Sequence, residues 1–194
     1  GLSRLEALKM TLVTALVSPR FLFINQPYQT TVNKQGNPKL AERLAYFMWS
    51  SNPGNKFIQY SKRFQYDRAF FGKGIEWMLK QKKFENFIRR FTTQWMHLDN
   101  MEEMPPGHKK FSIYYQNGLK DLFLEETFKY MSHMFRSNRP VRELFVSNYS
   151  FLNKTLAEFY EIKGVKHDEV KLVKIPEKSG RGGLISHGSF LTAT

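Results

Sequence analysis

Two stretches of this chain repeat large apolar side chains at the spacing of an α-helix, and that periodicity constrains the fold more than any other feature. Phe84, Phe87, Ile88, Phe91 and Trp95 recur every three or four residues. Between Asn117 and Phe135, Leu119, Leu122, Phe123, Tyr130, Met131 and Met134 fall on one side of a longer helix. A helix with such a stripe must bury it against another element, so packed helices follow. The expected fold is mainly α: an irregular multi-helix domain with a small C-terminal subdomain that can hold a short β-hairpin.

The rest of the chain extends this pattern. Leu5, Leu8, Leu12 and Leu16 predict a helix over Arg4 to Val17, with Ser3 as N-cap and Ser18-Pro19 as the stop. "RFLFI" is a short apolar piece, and Gln26 to Asn37 is a loop. Asn37-Pro38 starts a helix bearing Leu40, Leu44, Phe47 and Met48. Shorter helices are expected around Lys56 to Phe64 and over Arg68 to Lys80. "EEMPPGHKKF" is read as a loop, "PVRELFVS" as a short helix, "NYSFLN" as a turn and "KTLAEFYE" as a helix. "EVKLVKI" alternates and is the best strand. The core is expected to include Leu44, Phe47, Trp49, Phe91, Trp95, Leu122, Phe151, Leu152, Leu156 and Tyr160, with the Trp95 and Phe151 segments near each other.

Composition excludes several chemistries. The chain has no cysteine, so disulfides, thiolate metal sites, iron–sulfur clusters, thiol catalysis and covalent haem attachment cannot reside in it. No run approaches the roughly 18 apolar residues that span a bilayer. Thirty basic residues oppose 17 acidic ones, a net charge of +13, which favours polyanionic partners. The densest basic cluster, "KQKKFENFIRR", supplies Lys80, Lys82, Lys83, Arg89 and Arg90 as candidate polyanion-binding residues, set against a simple solvated helix face.

The closing stretch "SGRGGLISHGSFLTAT" has the vocabulary of a phosphate cradle or of a nucleophile with its base. The spacings do not match. No Gly-Lys-Ser/Thr is present, the glycines break the dinucleotide pattern, and the serine is one residue out of place for a nucleophile elbow. Gly182 and Gly183 read instead as a tight backbone junction, with Leu184, His187 and Leu191 on one helical face. Arg181, beside free amides at a helix start, and His187, in its glycine-rich setting, are the candidate catalytic residues. The five histidines form no helical metal pair, so no metal site is assigned. Glu102-Glu103 is placed in a loop and Glu125-Glu126 on a solvated helix face. "FIQYSKRFQYDRAFF" reads as core aromatics sooner than as a platform for single-stranded nucleic acid.

Five segments, "ALVSPRFLF", "KLAERLAYFMWSSNP", "FIRRFTTQWMHLDNM", "NYSFLNKTLAEFYEI" and "GRGGLISHGSFLTAT", together resemble the planctomycete secreted-domain proteins, a bacterial family of unknown function. The resemblance implies an exported, modular protein with c-type cytochrome modules elsewhere. It divides the chain into 1–25, the end of a preceding helical domain; 26–145, a central helical domain; and 146–194, the start of a cytochrome-associated domain that continues beyond this chain. It implies a periplasmic or extracellular location. It implies no cofactor in this chain, with haem c in a neighbouring domain or subunit. The implied partners are other domains of the same polypeptide or cytochrome subunits, with acidic polysaccharide as a further class and nucleic acid disfavoured. The family carries Tyr-Gly-Ile where this chain has Tyr160-Glu161-Ile162, which puts that turn in question, and an aspartate where Gly54 follows Pro53. Three functions are therefore weighed: a non-catalytic scaffold of a cytochrome-linked redox protein, an enzyme domain with a pocket lined by Arg181 and His187, and a polyanion-binding module.

Overall fold

A computed structural model describes residues 3–19, 38–62, 68–103 and 105–194. The "RFLFI" piece, the loop at 26–37 and Phe64 lie outside the described residues. The fold is mainly α, with one two-stranded antiparallel sheet.

Helix α1 (Arg4–Leu16) begins with a capping box. Ser3 Oγ accepts from the Glu6 N–H at 3.3 Å, and the Ser3 N–H donates to Glu6 Oε2 at 2.8 Å. No residue of α1 is buried, and Leu5, Leu8, Leu12 and Leu16 are 50–62% exposed.

Helices α2 (Pro38–Trp49), α3 (Gly54–Ser61), α4 (Arg68–Lys80) and α5 (Glu85–Met96) form one side of the body. Ala41, Ala45, Met48 and Trp49 are the buried face of α2, and α3 contributes Phe57 and α4 Met78. Phe47 is not core: it is 61% exposed. Phe91 and Trp95 are likewise exposed, because the buried face of α5 runs through Phe87, Ile88, Thr92 and Met96, and only Phe87 of the stacked rings belongs to it. The displaced rings pack on one another instead. Phe47, Phe87, Phe91 and Trp95 form a column with successive centroids 5.2, 5.4 and 5.6 Å apart, and Phe135 meets Phe87 and Phe91 edge-on. A column of rings along a flank satisfies the same helical spacing as a core stripe.

The short α6 (Asn100–Glu103) and α7 (Ser112–Gln116) lead into α8 (Leu119–Arg136), the central element. It packs on α4, α5, α7 and strand β1 (Tyr149–Leu152), and also on α9 (Lys154–Phe159) and α10 (Gly188–Ala193). Thus α8 stands between the Trp95 and Phe151 segments. Strand β1 pairs antiparallel with β2 (Lys171–Lys174), Tyr149 opposite Lys174 and Leu152 opposite Lys171. "NYSFLN" is therefore a strand rather than a turn. Its partner lies beyond α9, so the pairing is not a tight hairpin and local sequence does not announce it. Val141–Leu144 forms a 3₁₀ turn.

Three helices end in Schellman motifs without glycine. In α9 the Ile162 N–H returns to Ala157 O at 2.7 Å and the Glu161 N–H to Glu158 O at 3.1 Å, with Glu161 left-handed at φ 58°. The turn that Glu161 put in question is thus kept, with glutamate at its left-handed position. His97 and Asn138 hold the same role after α5 and α8, at φ 51° and 47°.

Candidate functional site

The glycines of the closing stretch are required by a backbone crossing. A Cβ on Gly182 would lie 2.6 Å from Ser147 O. One on Gly183, at φ 75°, would lie 2.6 Å from the Phe145 carbonyl carbon. The tail therefore passes directly over the segment leading into β1. The amides here are not free for an anion. The N–H groups of Arg181, Gly182 and Gly183 donate to Ser179 Oγ, Ser186 Oγ and Ser147 Oγ at 3.3, 3.0 and 3.0 Å. The anion cradle expected beside Arg181 is thus occupied by the chain's own hydroxyls. Nor do Leu184, His187 and Leu191 share a helical face. Leu184 is in a 3₁₀ turn, His187 is the extended N-cap of α10, and Leu191 is exposed.

His187 lies wholly inside, 2% exposed, in a polar cluster that ties the tail to α8, β1 and α9. At its centre is Glu126, 1% exposed, whose Oε1 accepts from Ser150 Oγ at 2.6 Å and whose Oε2 accepts from the Tyr160 hydroxyl at 2.7 Å. Tyr160 in turn accepts from the Gly188 N–H at 2.9 Å. Ser150 has spent its proton on Glu126, so its 3.3 Å contact with His187 Nε2 requires the ring to donate. That fixes the Nε2–H tautomer. Nδ1 then accepts from Thr127 Oγ1 at 3.0 Å, and Thr127 accepts from Ser189 Oγ at 2.6 Å. Each of these side chains has its hydrogen bonds met within the cluster, as buried polar groups require. Burial holds the His187 imidazole below the ordinary histidine pKa, with Arg181 acting in the same direction and Glu126 against it. Burial likewise raises the Tyr160 phenol, reinforced by Glu126.

Serine, histidine and glutamate together invite comparison with a hydrolytic triad. In a triad the acid meets the imidazole nitrogen opposite the nucleophile. Here Ser150 and Glu126 both face Nε2, at 3.3 and 3.8 Å, and Thr127 occupies Nδ1. The three side chains are buried, so the cluster acts as a fastener of the tail.

Arg181 is placed differently. Its guanidinium lies 3.6 Å over the Tyr160 ring, and Nη1 donates to Ser186 O at 2.7 Å. It lines an open cleft of about 860 Å³ with Arg142, Glu143, Ser147, Asn148 and Tyr149; His187 is not part of that wall. The cleft floor is braced by a second buried carboxylate. Glu143 accepts two hydrogen bonds from Arg139, at 2.7 and 3.0 Å, and one from the Tyr149 hydroxyl at 2.6 Å. The Arg139 guanidinium, then Tyr149, hold its carboxyl below the usual range. Burial and Glu143 raise the Tyr149 phenol.

The basic candidates stand in different surroundings. Lys82 and Lys83 border a groove beside Trp49 and Trp77. Arg89 lies over the Phe128 ring at 4.9 Å, and Arg90 Nη2 donates to Phe47 O at 3.3 Å. Lys80 is the exposed end of α4. His133 is half-buried against Tyr149 and Phe151, and His108 stacks on Tyr115. Among the described residues no three His, Asp or Glu side chains are grouped to hold a metal ion, and no helix is long and apolar enough to cross a membrane.

Glu126 corrects the sequence reading most. It was placed on a solvated face with Glu125, but only Glu125 is there, paired with Lys129 at 3.1 Å. A signal was present: Glu126 follows Leu119 by seven residues and Phe123 by three and precedes Tyr130 by four, inside the buried stripe of α8.

Neither the curated proteins nor the solved structures contain a match to this chain. A family match spans residues 37–162, from the start of α2 to the turn after α9. It covers well over half of the sequence, and the chain belongs to the family described as Protein of unknown function (DUF1592).

Proposed function

We propose that the chain is a helical scaffold and interaction module of a larger exported bacterial redox protein, linked to c-type cytochromes and without catalysis of its own. The observation that carries this reading is α1. It is a capped, regular helix with no buried residue and a row of exposed leucines. A helix apolar in this way gains stability from tertiary packing more than from its own propensity. Its partner is a neighbouring domain or subunit. The sequence resemblance to planctomycete secreted-domain proteins supplies the class of that neighbour, a haem c module, and a periplasmic or surface location.

The candidate chemistry fits a structural role. The Ser150–His187–Glu126 set is sealed from solvent and has its acid on the wrong side of the imidazole. The experiment is purification of the native gene product from its host, followed by an absorbance spectrum of the intact complex. A c-type haem spectrum that co-purifies with this polypeptide is expected. A haem-free complex whose gene encodes neither a secretion signal nor Cys-x-x-Cys-His would overturn the reading.

A further inference from the structure

We infer that the groove between the α2–α3 turn and the C-terminal end of α4 is a binding site for an anionic polysaccharide, one carrying carboxylates or sulfates on its sugar rings. The groove holds about 460 Å³ and is formed by Trp49, Phe57 and Trp77 with Lys56, Lys82 and Lys83. This is the size range of small-molecule sites.

Its aromatic part is built as a single platform. Trp49 and Phe57 are buried, and the Trp49 Nε1–H is spent on Met78 O at 3.2 Å. Trp77 is 41% exposed. One face of its indole is covered by Phe57, stacked at 5.7 Å and 13°, and its edge meets Trp49 at 5.6 Å. These contacts hold the ring, and its exposed part borders the groove. The C–H face of a pyranose ring suits the negative face of an indole.

Its charge is of one sign. Among the described residues no acidic side chain lines the groove, and none of Lys56, Lys82 and Lys83 is in an ion pair. Lys83 Nζ stands 5.7 Å from the Trp49 ring centroid, so one ammonium already sits over the aromatic wall. Three compact ammonium charges around one stacking face fit a polymer with an anion on each ring or alternate rings. A single-stranded nucleic acid wants a row of stacking platforms along its backbone, and this groove offers one.

The test uses the full chain, titrated with polygalacturonate and with a sulfated glycan, against neutral dextran and oligo(dT), read by tryptophan fluorescence and calorimetry. Binding to at least one of the acidic glycans is expected, weakening steeply with added salt, with no binding to dextran. The double variant Lys82→Gln/Lys83→Gln should abolish it at little cost in thermal stability, since both side chains are exposed and only the Lys83 contact with the Trp49 ring is lost. Trp77→Ala should weaken it about tenfold. Glycan binding that survives the lysine substitutions, no binding to either acidic glycan, or oligo(dT) binding as tight as the glycan's would each overturn the assignment.

Discussion

Replacing Glu126 separates hydrogen-bond logic from simple loss of a buried side chain. In Glu126→Leu the hydroxyls of Ser150 and Tyr160 both lose their acceptor. Ser150 has a second option, His187 Nε2 at 3.3 Å, provided the imidazole changes tautomer. The proton then sits on Nδ1 and donates to Thr127, which in turn donates to Ser189, so the chain of hydroxyls reverses without moving a heavy atom. Tyr160 has no such escape, because its other partner, the Gly188 N–H, is itself a donor. One buried hydroxyl is left unsatisfied, at a cost of about 1–3 kcal/mol. In Glu126→Gln the amide NH₂ can face Ser150 while the carbonyl still accepts from Tyr160. The same reversal then satisfies both hydroxyls and the imidazole, with the second amide N–H facing His187 Nε2 at 3.8 Å, and the loss should stay within about 1 kcal/mol. Both variants therefore predict a His187 switched to the Nδ1–H form, visible in its ¹⁵N shifts, but very different unfolding midpoints in urea at unchanged slope. If glutamine costs as much as leucine, or if His187 keeps its tautomer in a stable Glu126→Gln protein, the account of the cluster is wrong.

Other perturbations follow from the same geometry. The folded state keeps His187 neutral below its ordinary value of 6.5, so the unfolded chain binds the extra proton; stability should fall as pH drops below about 6.5, and His187→Gln should flatten that slope in pH-resolved denaturation. The depressed Glu143 carboxyl contributes stability that is present above its ordinary 4.5 and lost as pH falls through its lower folded value, so acid unfolding should move to higher pH in Arg139→Gln. Gly183→Ala should cost more than about 3 kcal/mol, from clash plus a glycine-only backbone, and free the tail to proteolysis. Gly164→Ala, at φ 92° in open space, should cost only the backbone strain, about 1–2 kcal/mol, in the same assay. Glu161→Gly should raise the melting temperature, because it relieves a left-handed residue worth about 1 kcal/mol.

The helices were legible because their apolar spacing is local: α1, α2, α4, α8 and α9 begin and end close to where the pattern places them. The orientation of α5 was legible only in part: Phe84, Phe87 and Ile88 are buried as the stripe predicts, while Phe91 and Trp95 belong to a column of stacked rings that repeats at the same interval as a buried face. Strand β1 was hidden because its partner lies beyond α9. The closing stretch lacks the spacing of a phosphate loop, and its packing depends on atoms distant in sequence. Gly182 and Gly183 are fixed by Ser147 and Phe145, and His187 by Thr127 and Ser150. Glu126 was misplaced because adjacent carboxylates suggest solvent, while its position within the stripe suggests burial; the geometry of α8 decides for the stripe.

The most direct test of a scaffold role is to learn what covers α1. A photo-reactive amino acid placed at Leu12 in the native host, where the side chain is exposed, should crosslink to a polypeptide or domain bearing covalent haem. The same residue placed at Thr14, on the side of the helix opposite the leucine row, should crosslink less. Crosslinks from Leu12 to no haem-bearing partner, or equal labelling from both positions, would contradict the account.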